Sequence, residues 1–120
     1  MNTTAQGALA EQQAAHYLTQ HGYQVLTRNF RATGGEIDIV AAHNQTLVFV
    51  EVKQRASNAF GGPLAAVTKT KQQRVTTAAT QFIKTHPQYQ QNDIRFDVIC
   101  ILPGEIEHIE NAFSPRRTTL

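Results

Sequence analysis

The order of helix-like and strand-like segments predicts an α/β fold, a sandwich built around a small mixed sheet. Two stretches, 4–21 and 64–85, repeat small and apolar residues at helical spacing. Five others, 23–26, 36–41, 47–54, 94–102 and 106–109, are strand-length and carry β-branched or aromatic residues. Glycine and proline fall between them, at Gly22, Gly34-Gly35, Gly61-Gly62-Pro63, Pro87 and Pro103-Gly104. At 120 residues the chain is long enough for one core and short for two domains. A single domain over 1–113 is therefore expected, with 114–120 as a mobile tail.

The first helix rests on Ala8, Leu9, Ala15 and Leu18, and Gly22 stands just past its end. Tyr23 to Leu26 reads as a strand, and Arg28-Asn29-Phe30-Arg31 as a loop running to Gly35. Glu36–Ala41 and Leu47–Gln54 alternate charged with β-branched or aromatic residues and are close enough to form a hairpin. Ala56 to Pro63 is expected to be loop. The second helix should run from about Leu64 to Thr85 and bury Val67, the Lys71 stem, Val75, Ala78, Ala79 and Phe82. Ile94–Leu102 is an apolar strand interrupted by Arg95 and Asp97, and Ile106–Ile109 closes the order α-β-β-β-α-β-β.

Composition narrows the function classes. A single cysteine, Cys100, excludes an internal disulfide and a cysteine-rich zinc site. The five histidines lie apart, with no pair at the spacing that lets a helix hold a metal. No apolar run approaches membrane-helix length. The first residues show no basic segment followed by an apolar one, so a cytoplasmic protein is expected. The net charge of +2 permits a nucleic-acid partner without announcing one.

Chemistry concentrates in Gly35-Glu36-Ile37-Asp38 and in Val50-Glu51-Val52-Lys53. Strand residues alternate faces, so Glu51 and Lys53 project together, as do Glu36 and Asp38, opposite Ile37 and Ile39. If the hairpin closes through Asn44-Gln45, with His43 facing Thr46, Asp38 falls opposite Glu51 and Glu36 opposite Lys53. Slipping the register by one residue would send the partners to different faces. Two carboxylates that close repel unless they share a proton or a divalent cation. Mg²⁺ takes one or two carboxylates and completes its shell with water and phosphate oxygens. Lys53 beside them adds a cation that can hold a water or stabilise phosphate charge. Asp38, Glu51 and Lys53 are thus candidate catalytic residues, and Asp38 and Glu51 candidate Mg²⁺ ligands, with Mn²⁺ as a substitute. The plain alternative is a solvated face carrying weak ion pairs.

These stretches, with Gln54-Arg55, Arg95-Phe96-Asp97-Val98 and Ile106 to Phe113, resemble the YraN-like family of small uncharacterised bacterial proteins. The likeness runs from about Gly7 to Phe113. The family is similar in pattern to archaeal Holliday junction resolvases of the PD-(D/E)xK nuclease superfamily. That resemblance implies a restriction-endonuclease-like α-β-β-β-α-β core, its mixed central sheet flanked by helices. It implies a metal-dependent phosphodiesterase site, adds Glu11 of the first helix as a third metal ligand, and suggests a homodimer. Alanine stands at Ala10, where relatives usually carry glycine.

Basic residues supply the remaining signal. Arg55 follows the Glu-x-Lys, and Lys69, Lys71 and Arg74 cluster on the second helix. With Gln54 they are candidate nucleic-acid contacts, DNA above all, gaining affinity from phosphates rather than from base edges. The expected function is a Mg²⁺-dependent endonuclease, or a nuclease-like DNA-binding protein, of recombination or repair. The rival is a non-catalytic module that binds nucleic acid or protein.

Overall fold

A computed structural model describes residues 3–56 and 67–114. The loop expected around Gly61-Gly62-Pro63, the expected helical residues 64–66 and the tail from Pro115 fall outside these residues, whereas Val67 and Thr68, also expected in the helix, precede it because Thr68 is its cap. Helix α1 spans Thr3–Gln20, and strands β1 (Gln24–Ala32), β2 (Gly35–His43) and β3 (Thr46–Gln54) follow as a meander. Helix α2 (Lys69–Thr85) and a single 3₁₀ turn (Pro87–Tyr89) lead to β4 (Asp93–Leu102) and β5 (Glu105–Ile109). The result is an α/β fold with a five-stranded mixed open sheet in the order β1-β2-β3-β4-β5. Only β3 and β4 run parallel, and α2 lies in the connection that parallel strands require.

Burial explains why the two parallel strands read as apolar runs. Leu47–Val50 and Phe96–Leu102 are covered on both faces, so successive side chains are all inside. On one face Ala10, Ala14 and Leu18 of α1 pack on Ile39, Ala41, Val48, Val50, Ile99 and Ile101. On the other, Val75, Ala78, Ala79 and Phe82 of α2 pack on Val40, Leu47, Phe49 and Phe96. Thr68 caps α2, its hydroxyl accepting from the Lys71 N–H at 3.2 Å. Gly35 lies beneath this helix: a Cβ there would stand 1.9 Å from the Arg74 carbonyl oxygen. Only glycine lets α2 approach the start of β2 so closely.

The hairpin register is the expected one. His43 faces Thr46 across Asn44-Gln45, and the pairs continue to Ile39↔Val50. Asn44 takes the left-handed backbone, φ 57°, that asparagine tolerates. The segment expected as a loop at Arg28–Arg31 is instead strand. β1 runs to Ala32, and a tight turn at Thr33-Gly34 joins it to β2. Its polar residues face solvent along a sheet edge, so it shows no apolar alternation to read. A register shift between Val25 and Thr27, and φ 55° at Asn29, disturb the pattern further.

Alternation also fails at Asp38. Ile37 packs on the α2 face while Ile39 packs on the α1 face, so they do not share a side as the sequence pattern suggested. Across the strand pair, Phe30 joins the α2 side and Arg28 reaches Glu11 of α1. The two faces exchange between the rungs Arg28↔Ile39 and Phe30↔Ile37, on either side of Asn29 and Asp38.

Two strands across from Ile39, Asp97 is fully buried on β4 and fully satisfied. Its carboxylate accepts from Arg95 Nε (2.9 Å) and Nη2 (2.8 Å), His108 Nε2 (2.7 Å) and the Asn111 N–H (2.9 Å). Arg95 in turn donates to the Tyr23 hydroxyl at 2.6 Å. Burial alone would raise the Asp97 carboxyl, but the hydrogen bonds from His108, Arg95 and Asn111 outweigh it and hold the group below its ordinary value. A lowered folded value stabilises the fold above the unfolded carboxyl's titration and is lost as pH falls through the folded one. Asp97→Ala should therefore cost about 3 kcal/mol in urea unfolding at pH 7, by leaving the half-buried Arg95 and His108 without their buried acceptor. Glu110→Ala, removing a 60% exposed partner 3.8 Å from Arg95, should cost less than about 1 kcal/mol.

Candidate active site

The irregularity at Asp38 opens a cleft at one edge of the hairpin. Beyond Ile39↔Val50 the β2–β3 ladder stops, and the Asp38 carboxylate accepts the Val52 N–H at 2.8 Å. A side chain thus takes the place a partner strand's carbonyl would hold, and the strands part. Asp38 and Glu51 are therefore not a ladder pair, although the register points them at one another. Glu36 keeps its partner Arg31 on β1 but has no ladder partner on β3, so it is not paired with Lys53 as the sequence suggested, a correction that follows from the same parting of strands. The cleft between residues 7–11 of α1 and 71–75 of α2 has a volume of about 240 Å³. Its walls include Glu11, Glu36, Asp38, Glu51, Lys53, Gln54, Lys71 and Arg74.

Alternation along β3 turns Glu51 away from Val50 and Val52 and into this cleft, where it is buried. Lys53 Nζ and Lys71 Nζ each stand 3.8 Å from the same oxygen, Glu51 Oε1. Glu51 is pushed up to about 7, first by burial and then by the charge of Asp38, against the pull of both lysines. Asp38 is raised as well: its burial outweighs the Val52 N–H and the lysines. Lys53 is pushed down to about 8, by burial and by Lys71 beside it, against the pull of Glu51. Near neutral pH Glu51 thus still binds a proton part of the time, beside an amine that gives one up more readily than an ordinary lysine.

Glu11 lines the same cleft from α1 and pairs with Arg28 at 3.7 Å. Burial is the main cause of its raised carboxyl, with Asp38 adding to it. Its Oε1 is the one buried side-chain polar atom without a hydrogen-bond partner among the described residues. The Arg28 guanidinium stands 3.7 Å from this same oxygen, an ion pair too long to be a hydrogen bond, so its charge is met while its acceptor capacity is not. No three His, Cys, Asp or Glu side chains converge at metal-binding distance among the described residues. The hard-oxygen set is instead the pair Asp38 and Glu51, with Glu11 on the facing wall.

Of the basic and polar residues singled out for nucleic acid, Gln54, Lys71 and Arg74 line the cleft. Arg55 does not: its guanidinium donates to the Gln54 carbonyl at 2.9 Å, and its N–H donates to Ile101. Lys69 is exposed on the first turn of α2, outside the cleft. Sequence reasoning placed Lys71 among phosphate contacts and missed its pairing with Glu51. The signal was its place one turn before Val75 on the buried stripe of α2. The contact of Arg28 with Glu11 was missed because its segment read as loop.

Comparison with known proteins follows from this geometry. Residues 10–101 match the family described as "Uncharacterised protein family UPF0102". The chain is 49% identical over 112 residues to a UPF0102 protein of Cupriavidus pinatubonensis, covering 92% of this chain and 87% of the relative. It is 45% identical over 113 residues to one from Lachnoclostridium phytofermentans, covering 94% and 96%. A relative from Sulfurihydrogenibium is 42% identical over 114 residues, with 95% and 98% covered.

The raised Glu51 has a measurable consequence. Its folded value of about 7 exceeds the ordinary 4.5, so the folded protein keeps a proton that the unfolded chain has shed. The stabilisation is complete below pH 4.5 and disappears as pH rises through about 7. In chelator-treated protein, urea unfolding should show this loss between pH 5 and pH 8, to the extent of ~3 kcal/mol. Glu51→Gln should flatten the slope and be the more stable form at pH 8.

Proposed function

This chain belongs to the uncharacterised protein family UPF0102, and we propose that it is a Mg²⁺-dependent endonuclease acting on DNA in recombination or repair. In this reading the sheet and its helices form a restriction-endonuclease-like core, and the cleft is a PD-(D/E)xK-type site. One observation carries the proposal: the buried Glu51 and the half-buried Asp38 stand together where β2 and β3 part, with Lys53 3.8 Å from Glu51. A structural ion pair has no need to keep two carboxylates raised in a cleft beside an amine lowered to about 8.

The donor set suits Mg²⁺. Asp38 and Glu51 supply hard oxygens, Glu11 lines the same cleft, and no soft ligand is among the lining residues. A bound Mg²⁺ supplies Lewis-acid polarisation of a phosphodiester and of water. The protein's own residues do the rest. Asp38 is held by the Val52 N–H, so its carboxylate is oriented before any ligand arrives. Lys53 holds the attacking water, and its lowered value lets a fraction of neutral amine take the water's proton near pH 8. The water oxygen bonds to phosphorus, the ester P–O bond breaks, and the leaving oxygen takes up a proton from solvent while Lys53 later returns its own to solvent. Gln54, Arg55, Lys69, Lys71 and Arg74 provide contacts to the strand, and a homodimer would present two such clefts.

Calorimetry with Mn²⁺ should find a site in the wild type that Asp38→Ala abolishes. A panel of branched and linear DNAs with Mg²⁺ or Mn²⁺ should show cleavage. In Lys53→Met, metal and DNA should still bind while the rate falls by ~10²–10³-fold. A wild type that takes up Mn²⁺ and binds DNA but cleaves nothing in the panel would overturn the catalytic reading in favour of the binding module. Cleavage by Lys53→Met at the wild-type rate would remove the role given to this lysine.

Affinity for DNA should fall steeply with salt. Replacing Lys69, Lys71 or Arg74 singly should lower the slope of log affinity against log salt by ~1 without altering sequence preference. Unchanged slopes in all three would return this end of α2 to an ordinary solvated face.

A further inference from the structure

Two ammonium groups crowd one carboxylate oxygen in the cleft. Lys53 and Lys71 both stand 3.8 Å from Glu51 Oε1, and each lowers the proton affinity of Glu51. They also oppose one another: Lys71 is among the causes that lower Lys53. Such an arrangement persists because Asp38 and Glu51 together supply two negative charges to balance two positive ones. The two lysines are not held alike. Lys53 rises from the floor of the cleft on β3 with 12% of its side chain exposed. Lys71 reaches in from the first turn of α2 with 41% exposed, the geometry of a weak and readily broken pair.

We propose that Lys71 is a placeholder cation, paired with Glu51 until a divalent ion takes the carboxylates and then released to meet a phosphate of the bound strand. The inference rests on the reading of Asp38 and Glu51 as a divalent-cation site. Charge balance drives the exchange. With both carboxylates ionised, as metal binding requires, and both lysines charged, the four groups sum to zero, and a divalent ion added to them leaves an excess of two positive charges. Releasing Lys71 removes one, and a phosphodiester, with its single negative charge, cancels the other. Lys53 has little room to leave, so Lys71 is the group that moves. Arg74, one turn further along α2, also lines the cleft, so the freed ammonium stays beside the wall where a phosphate would lie.

The exchange makes Lys71 a competitor of the metal and a partner of the nucleic acid. In calorimetry, Lys71→Met should bind Mn²⁺ about two- to fivefold more tightly than the wild type. Lys84→Met, at the far end of the same helix, should bind as the wild type does. Metal and a short oligonucleotide should each strengthen the binding of the other in the wild type, and Lys71→Met should weaken that coupling. A measurement on the wild type alone guards against a variant that folds poorly: acetic-anhydride labelling of Lys71, read by mass spectrometry, should quicken severalfold on adding Mg²⁺ while Lys84 does not change. Equal Mn²⁺ affinity in wild type and Lys71→Met, with labelling indifferent to Mg²⁺, would overturn the placeholder role and leave the metal site standing. A wild type that binds no Mn²⁺, or binds it equally after Asp38→Ala, would overturn the metal site and the placeholder with it.

Discussion

The hydrogen bond from the Val52 N–H to the Asp38 carboxylate decides where this sheet stops being regular. Every buried backbone donor needs an acceptor, and in a continuous hairpin Val52 would find one on β2. Here the acceptor is a side chain. The ladder therefore ends at Ile39↔Val50, and the space between the separating strands becomes the cleft. Upstream, Asn29 takes a left-handed backbone beside the exchange of faces between Phe30 and Arg28, which brings Arg28 to Glu11. Asparagine accepts that conformation at lower cost than a β-branched residue would. The kink, the cleft and the Glu11 wall belong to one local distortion.

Two kinds of buried carboxylate in one small sheet show what neighbours do to charge. Asp97 receives four hydrogen bonds and is held below its ordinary value. Glu51 has ammonium groups only at 3.8 Å and a carboxylate beside it, and is pushed up to about 7. Burial acts in the same direction on both. The difference is the supply of donors, complete around Asp97 and incomplete around Asp38 and Glu51. Asp97 ties β4 to the turn after β5 and contributes to stability. The cleft carboxylates are costly to the fold, which is the usual condition of groups kept ready to bind something else.

Gly35 connects these two parts of the molecule. Because it has no Cβ, the Arg74 carbonyl can lie against the start of β2, and the first turn of α2 is drawn over the end of the hairpin. Lys71 sits one turn before Val75, so its stem follows the buried stripe and its ammonium reaches Glu51. The apolar packing that fixes α2 on the sheet thereby also fixes how many positive charges the cleft contains.

The sequence by itself determined the element order, the apolar character of the parallel strands and the hairpin register, because each rests on local periodicity and turn chemistry. It placed Glu51 and Lys53 on one face because strand alternation holds along β3. It also limited the metal-type ligands to oxygen donors, since one cysteine and scattered histidines offer nothing softer. Only the tertiary structure decided that Arg28–Arg31 is strand, since an exposed edge leaves no hydrophobic pattern. It alone decided that Asp38 leaves the ladder to accept the Val52 N–H, and that Lys71 joins Lys53 on one oxygen of Glu51. Those contacts join residues 14 and 20 positions apart, through a broken rung and through the docking of a helix. Period and spacing describe a segment's own faces, whereas such contacts depend on how segments far apart in the chain are packed together.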